Sequence, residues 1–235
     1  MVGEVRTFAH FFRQVEIDNP RSGEKGMLRD DEHKLLAPNH LELEEPDLCL
    51  DKMGFQILKT YGDVWNDEFR SLRNLVHQLH SLDRVTIAAL DWKPDICIFV
   101  RPDLMYWNSF EKVLGKAVKA PDRTAFIPSW QHWLGLNDRF SLCIGTDAIR
   151  AYGARQNRAL LFAQDASGLH AERLLRHALE QAEVNVRRFN VRASRVRSDG
   201  QILREDFRDA RLVFPRTEKF LKRVGRRVAQ RSLFR

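Results

Sequence analysis

The chain has 235 residues, of which 43% are apolar and 30% charged, and it carries a net charge of +7. Those shares exclude a disordered polymer and allow one domain with a sizeable core. No apolar run approaches the roughly 18 residues that span a bilayer, and no basic-then-apolar leader opens the chain, so a cytoplasmic protein is expected.

The charge sits at one end. Arg211 to Arg235 carries nine basic residues against Glu218 alone, and taking this +8 from +7 leaves residues 1–210 at −1. A nucleic-acid-binding module needs basic residues across its folded part, so no nucleic acid is expected as a partner. Two units follow: an α/β domain over 1–210 and a basic amphipathic tail over 211–235. In the tail Phe220, Leu221, Val224 and Val228 fall on one helical side and the cations mainly on the other, the design of a helix lying on an anionic membrane surface. Cys49, Cys97 and Cys143 are few and widely spaced. They read as reduced core thiols rather than a zinc or disulfide framework.

In chain order, Gly3 permits a close backbone approach and Arg6 is placed to meet an anionic group. Thr7 to Val15 puts Phe8, Phe11, Phe12 and Val15 on one helical face. Asp18 to Asp31 reads as a mobile loop, and a strand is expected near Leu41 to Leu43. The strongest helix is Asn66 to Leu82, with Phe69, Leu72, Val76 and Leu79 at helical spacing. His77 and His80 share a side of it, but with no third ligand in view they read as partly packed histidines. Ile96 to Val100 is a continuous apolar run between Pro94 and Pro102, the pattern of a strand buried on both faces of a parallel sheet. Pro102 cannot donate to a ladder, so Arg101 and Asp103 are delivered at the strand's carboxyl end, where open α/β sheets bind ligands. A helix at Ser109 to Lys119, strands at Thr124 to Ile127 and Ser141 to Gly145, a helix with Thr146 as N-cap, a helix at His170 to Ala182 and two strands at 184–197 complete an α/β order. Ser129 to Phe140, with two Trp, a His and the Asn137-Asp138-Arg139 triplet, has no regular period and reads as a binding loop or a packed one. Glu172 lies in a helix's first turn, where a carboxylate is favoured in any case.

Four pieces, G-E-V-R-T-F (Gly3 to Phe8), F-V-R-P-D-L (Phe99 to Leu104), W-L-G-L-N-D-R-F (Trp133 to Phe140), and H-A-E-R-L-L (His170 to Leu175) with R-V-R-S-D-G (Arg195 to Gly200), occur in an order that resembles GT-A-type glycosyltransferase-like proteins of surface polysaccharide assembly. The resemblance covers about residues 3–200. It implies a Rossmann-like, mostly parallel sheet flanked by helices, and transfer of a sugar from a nucleotide-diphosphate sugar to a saccharide or lipid-linked acceptor at the inner face of a membrane. Gly3, Arg6, Arg101, Asn137 and Arg139 would bind the donor. Asp103 would hold Mn²⁺ or Mg²⁺, and Asp138 or Glu172 would be the catalytic base. Arg101 stands where related enzymes keep the first acid of a D-x-D motif. The strand that the family places before Gly3 is expected from coding sequence upstream of Met1, unless the chain is a shortened member. A non-catalytic, membrane-associated protein that keeps the fold is the alternative. A nuclease is disfavoured because no (D/E)-x-K follows Pro94-Asp95, and a P-loop enzyme because G-x-x-x-x-G-K-[ST] is absent.

Overall fold

The computed structural model describes residues 3–19, 23–29 and 31–208; the basic tail expected at 211–235 lies outside them. In chain order the elements are β1 (Phe8–Phe12), β2 (Glu16–Asn19), β3 (Glu24–Met27), β4 (His40–Glu44), α1 (Leu48–Lys52), α2 (Phe55–Thr60), α3 (Arg70–Asp91), β5 (Ile96–Phe99), β6 (Leu104–Tyr106), α4 (Glu111–Ala117), β7 (Thr124–Pro128), β8 (Ser141–Ile144), α5 (Thr146–Gly153), α6 (Ala159–Ala166), α7 (Ala171–Gln181), β9 (Asn185–Phe189) and β10 (Ala193–Arg195). This is a mixed α/β fold. No helix among the described residues is long and apolar enough to cross a membrane.

The central sheet has the order β5-β8-β7-β9. The pattern of Ile96 to Val100 predicts a strand inside a mostly parallel sheet; instead the sheet is mixed and β5 is its edge. β8 runs antiparallel to both β5 and β7, and only β7 and β9 are parallel. A continuous apolar run does not report how many neighbours a strand has. Here Ile98 is 41% and Val100 56% exposed, while every residue of β7 and β8 is buried. Alternation along β7 feeds two cores. Ala125 and Ile127 pack with Phe99, Tyr152, Leu175 and Leu179 on the α5–α7 side. Phe126 packs with Phe140, Leu142, Phe189 and Val113 on the α4 side. Burial pushes the Cys97 thiol up to about 11 and Cys143 up to about 12, the values of unreactive thiols.

α3 starts later and runs further than its periodicity predicts. The Asp63 carboxylate accepts the backbone N–H groups of Trp65, Asp67 and Phe69 at 2.9–3.2 Å, which holds 63–69 as a turn with positive φ at Asn66, Glu68 and Phe69. Leu72, Leu75, Val76 and Leu79 then join Leu58, Phe162 and Leu174 in a third, helical core.

The amino-terminal region departs from expectation. Residues 8–12 form a strand, not a helix, paired in parallel with β4 from Phe8↔His40 to Phe12↔Glu44. The 18–31 segment contains much of a β2–β3 hairpin, with Glu16 opposite Met27. The aromatic residues of β1 suit a strand as well as a helix, and pairing with a partner some 30 positions away decides between them.

Candidate functional site

The loop between β7 and β8 is built by its own side chains. Trp130 is buried and donates Nε1–H to the Val191 carbonyl at 2.9 Å. Asn137 donates from Nδ2 to the Trp130 carbonyl at 2.7 Å, gives its backbone N–H to His132 Nδ1 at 3.1 Å, and accepts the Arg139 N–H at Oδ1, also at 3.1 Å. The side chain of Asn137 therefore pins the loop and is not presented to a donor. The loop lies directly on the start of α7. Leu136 N–H donates to the Glu172 carbonyl at 2.9 Å, and a Cβ on Gly135 would sit 2.0 Å from that same oxygen.

This loop, the turn after β5 and the first turn of α7 form the wall of a cleft of about 1200 Å³ that Arg101, Asp103, Asp138, Arg139, Glu172 and Arg195 line together. Arg101 follows β5 and grips Asp103 with two bonds, Nε to Oδ1 at 2.9 Å and Nη2 to Oδ2 at 2.6 Å. Its N–H also donates to Tyr106 Oη at 3.2 Å. Asp138 does not pair with its neighbour Arg139. Its Oδ2 accepts from Gln78 Nε2 of α3 at 3.1 Å and from Arg155 at 3.4 Å. Arg155 is fully buried, donates to the Tyr152 carbonyl at 2.7 Å and lies over the Tyr152 ring. Arg139 lies over Trp130 with its Nη2 3.7 Å from Glu205, and Glu205 also receives Arg195 Nε at 2.8 Å and Gln131 at 2.9 Å. Glu172 sits 3.2 Å from His170 Nδ1, whose ring stacks on Trp65.

The electrostatics separate the carboxyls. Burial opposes the charge of Asp103, but Arg101 outweighs it and holds the carboxyl below its ordinary range. Burial opposes charge on Arg101 as well; Asp103 more than offsets this and raises its pKa. Glu172 is pushed the other way, upward, first by burial and then by the nearby charge of Asp138 despite the bond to His170. Burial lowers the pKa of Arg139. Of the two carboxyls expected to serve as base, Asp138 is locked on Arg155 and Gln78. Glu172 is the carboxyl whose pKa is raised by burial, the direction that makes a carboxylate a stronger general base.

The Asp103 site does not fit a hard divalent ion. Its single carboxylate has both oxygens taken by Arg101, and the charge of Arg139 acts on it too, whereas Mg²⁺ and Mn²⁺ want several free oxygen donors. Two expected donor contacts also lie elsewhere. Gly3 is exposed, and Arg6 pairs with Glu4 at 2.7 Å and lies over the Trp92 ring; neither lines the cleft. Gln78, Arg155 and Glu205 carry no sequence pattern that singles them out, since nothing in Y-G-A-R-Q-N-R marks Arg155 as buried and Arg158 as not. Comparison of the chain with protein-family models, with curated proteins and with solved structures found no match.

Proposed function

We propose that the chain is a GT-A-type glycosyltransferase-like protein that binds a nucleotide-diphosphate sugar in this cleft and transfers the sugar to a saccharide or lipid-linked acceptor. The observation that carries the reading is the convergence of Arg101, Arg139 and Arg195 with Asp138 and Glu172 in one cleft beside the carboxyl end of β5. Arginine forks match phosphate oxygens in pairs, and a cleft of this size suits a nucleotide-sugar.

In this reading the diphosphate takes the guanidinium N–H groups that Asp103 and Glu205 leave over, and Arg101 supplies the charge that a metal supplies in GT-A enzymes. As the acceptor oxygen bonds to the anomeric carbon, the bond from that carbon to the diphosphate oxygen breaks. The electron pair leaves with the diphosphate, where the guanidinium groups stabilise it. Glu172 takes the acceptor's hydroxyl proton. Asp138, fixed between Gln78 and Arg155, lines the cleft beside it.

The test is thermal stability of the full chain against UDP, GDP, CDP, ADP and dTDP, with and without Mn²⁺, in wild type and Arg101→Ala. A ligand that binds only the folded state adds about 2.7 kcal/mol at a hundredfold excess over Kd. One nucleotide is expected to raise the midpoint in wild type and not in Arg101→Ala. A shift that requires Mn²⁺ and disappears in Asp103→Ala would return the metal to Asp103. No shift with any nucleotide, in folded protein, overturns the donor site.

A further inference from the structure

A second cluster of chemistry-bearing side chains lies between the β1–β4 pair and α3, apart from the cleft. His10 comes from β1, Glu44 from β4 and His80 from α3. On a helix, positions 78 and 80 are about 200° apart, so α3 presents Gln78 to Asp138 in the cleft and His80 to the ribbon. His80 Nε2 is 2.7 Å from Glu44 Oε2, and His10 Nε2 is 3.7 Å from the same oxygen. The three potential ligand atoms lie within 4.8 Å of one another.

Three features distinguish this cluster from an ordinary buried ion pair. The His10 side chain is wholly buried, yet its Nε2 makes no hydrogen bond and faces Glu44. Its other nitrogen, Nδ1, is 3.0 Å from Ser81 Oγ. In the tautomer that donates Nδ1–H to that hydroxyl, Nε2 carries the lone pair. A polar partner on the far nitrogen is the usual support of a metal-binding histidine. Finally, two ligand atoms on a tetrahedral zinc stand about 3.3 Å apart, and the 2.7 and 3.7 Å distances to Glu44 straddle that value.

We infer that His10 Nε2, Glu44 and His80 Nε2 form a binding site for a divalent transition metal, with Zn²⁺ the best match to two imidazoles and one carboxylate. The metal replaces the His80–Glu44 hydrogen bond; the hydrogen on His80 Nε2 moves to Nδ1 in the neutral ring, or passes to solvent from the imidazolium, so that the ring coordinates as neutral imidazole. Water completes the tetrahedron. Arg84, paired with Glu42 at 2.8 Å and 4.0 Å from Glu44 Oε1, orients the carboxylate from the other side, and the Phe12 ring lies 5.0 Å from His10 and 6.1 Å from His80. The metal's role is to staple the β1–β4 pair to α3. A two-stranded ribbon is marginal by itself, and beside the Phe12 ring on His77 and His80 this one meets α3 through polar groups, Glu42 on Arg84 and Glu44 on His80. The inference stands independently of the reading of the cleft.

The experiment uses the full chain stripped with chelator and titrated with Co²⁺ and Zn²⁺. The readouts are visible absorption of the cobalt form, metal content after dialysis and the thermal midpoint. Wild type is expected to bind one equivalent, to show the visible bands of four-coordinate Co²⁺ and to melt higher with Zn²⁺. Glu44→Gln and His80→Gln, which keep side chains of similar polarity in place, are expected to weaken binding more than about a hundredfold, beyond the effect of losing a supporting contact. Circular dichroism establishes that each is folded. His77→Ala, whose histidine faces Asp47 at 2.8 Å instead, is expected to keep the site. Absence of a stoichiometric site in wild type, or equal binding by folded Glu44→Gln and His80→Gln, overturns the inference.

Discussion

At Glu172 burial and a neighbouring charge together oppose ionisation. Its carboxyl titrates above the ordinary range because burial and Asp138 disfavour its anion. Below the unfolded-state value both states are protonated and the group contributes nothing. As pH rises past that value the unfolded chain loses its proton first, so unfolding is favoured, and above the folded-state value the penalty is complete. Glu172→Gln removes the penalty. The variant's melting temperature relative to wild type is therefore expected to be higher at pH 7 than at pH 4, as melts of both proteins at both pH values would report. A difference that is constant or reversed would mean that Glu172 is already ionised comfortably in the fold. Asp103 has the opposite sign: its carboxyl is held low by Arg101, so its contribution is present at neutral pH and fades as pH falls through the folded-state value. The two carboxyls thus respond to acid in opposite senses, though both lie on one cleft.

At the scale of elements, the join between the 129–140 loop and α7 sets the shape of the cleft. A methyl group on Gly135 meets the carbonyl oxygen and carbon of Glu172 at 2.0 and 2.1 Å, and these are backbone atoms of a helix, which do not rotate away. Gly135→Ala is expected to cost about 3 kcal/mol, the upper part of the range for overpacking. Gly115 in α4 has open space around its would-be Cβ; Gly115→Ala is expected to add up to about 1 kcal/mol through helix propensity. Urea midpoints of the two variants check both signs, and a neutral Gly135→Ala would show that the loop is free to lift from α7. Which elements were legible follows from the same physics. α7 was, because Leu174, Leu175, Ala178 and Leu179 repeat at the helical period and are all buried. β1 was not, because Phe8, Phe11 and Phe12 satisfy a helical stripe while the decisive contact is pairing with β4. The turn after β5 was placed by the two prolines around an apolar run, yet the run could not say that β5 has one neighbour. Asp138 and Arg139 stood out by the character of their loop and Glu172 by its place in a helix's first turn, but their site roles came only with the resemblance. Arg155 and Glu205, which fix Asp138 and Arg139, required the tertiary fold to be seen.

Across the whole chain the charge is divided in two. Residues 211–235 carry +8 and the remainder −1, and among the described residues the three core clusters are built from residues up to Phe207. A sugar transferase working on a lipid-linked acceptor gains from being held at an anionic surface, where each basic residue contributes about 1 kcal/mol. Deleting residues 211–235 is expected to abolish sedimentation with phosphatidylserine-containing vesicles and to leave the melting temperature of the core unchanged. Salt gives an independent check. Raising ionic strength from about 0.1 M to 1 M shortens the screening length from about 10 Å to 3 Å, so the intact chain should leave the vesicles over that range. Binding to purely neutral vesicles, or binding that survives both deletion and salt, would locate the membrane affinity elsewhere and remove the argument for a surface-bound acceptor. Nucleotide binding in the cleft is expected to be the same in the intact and the shortened chain, because the described residues that line it end at Ser198.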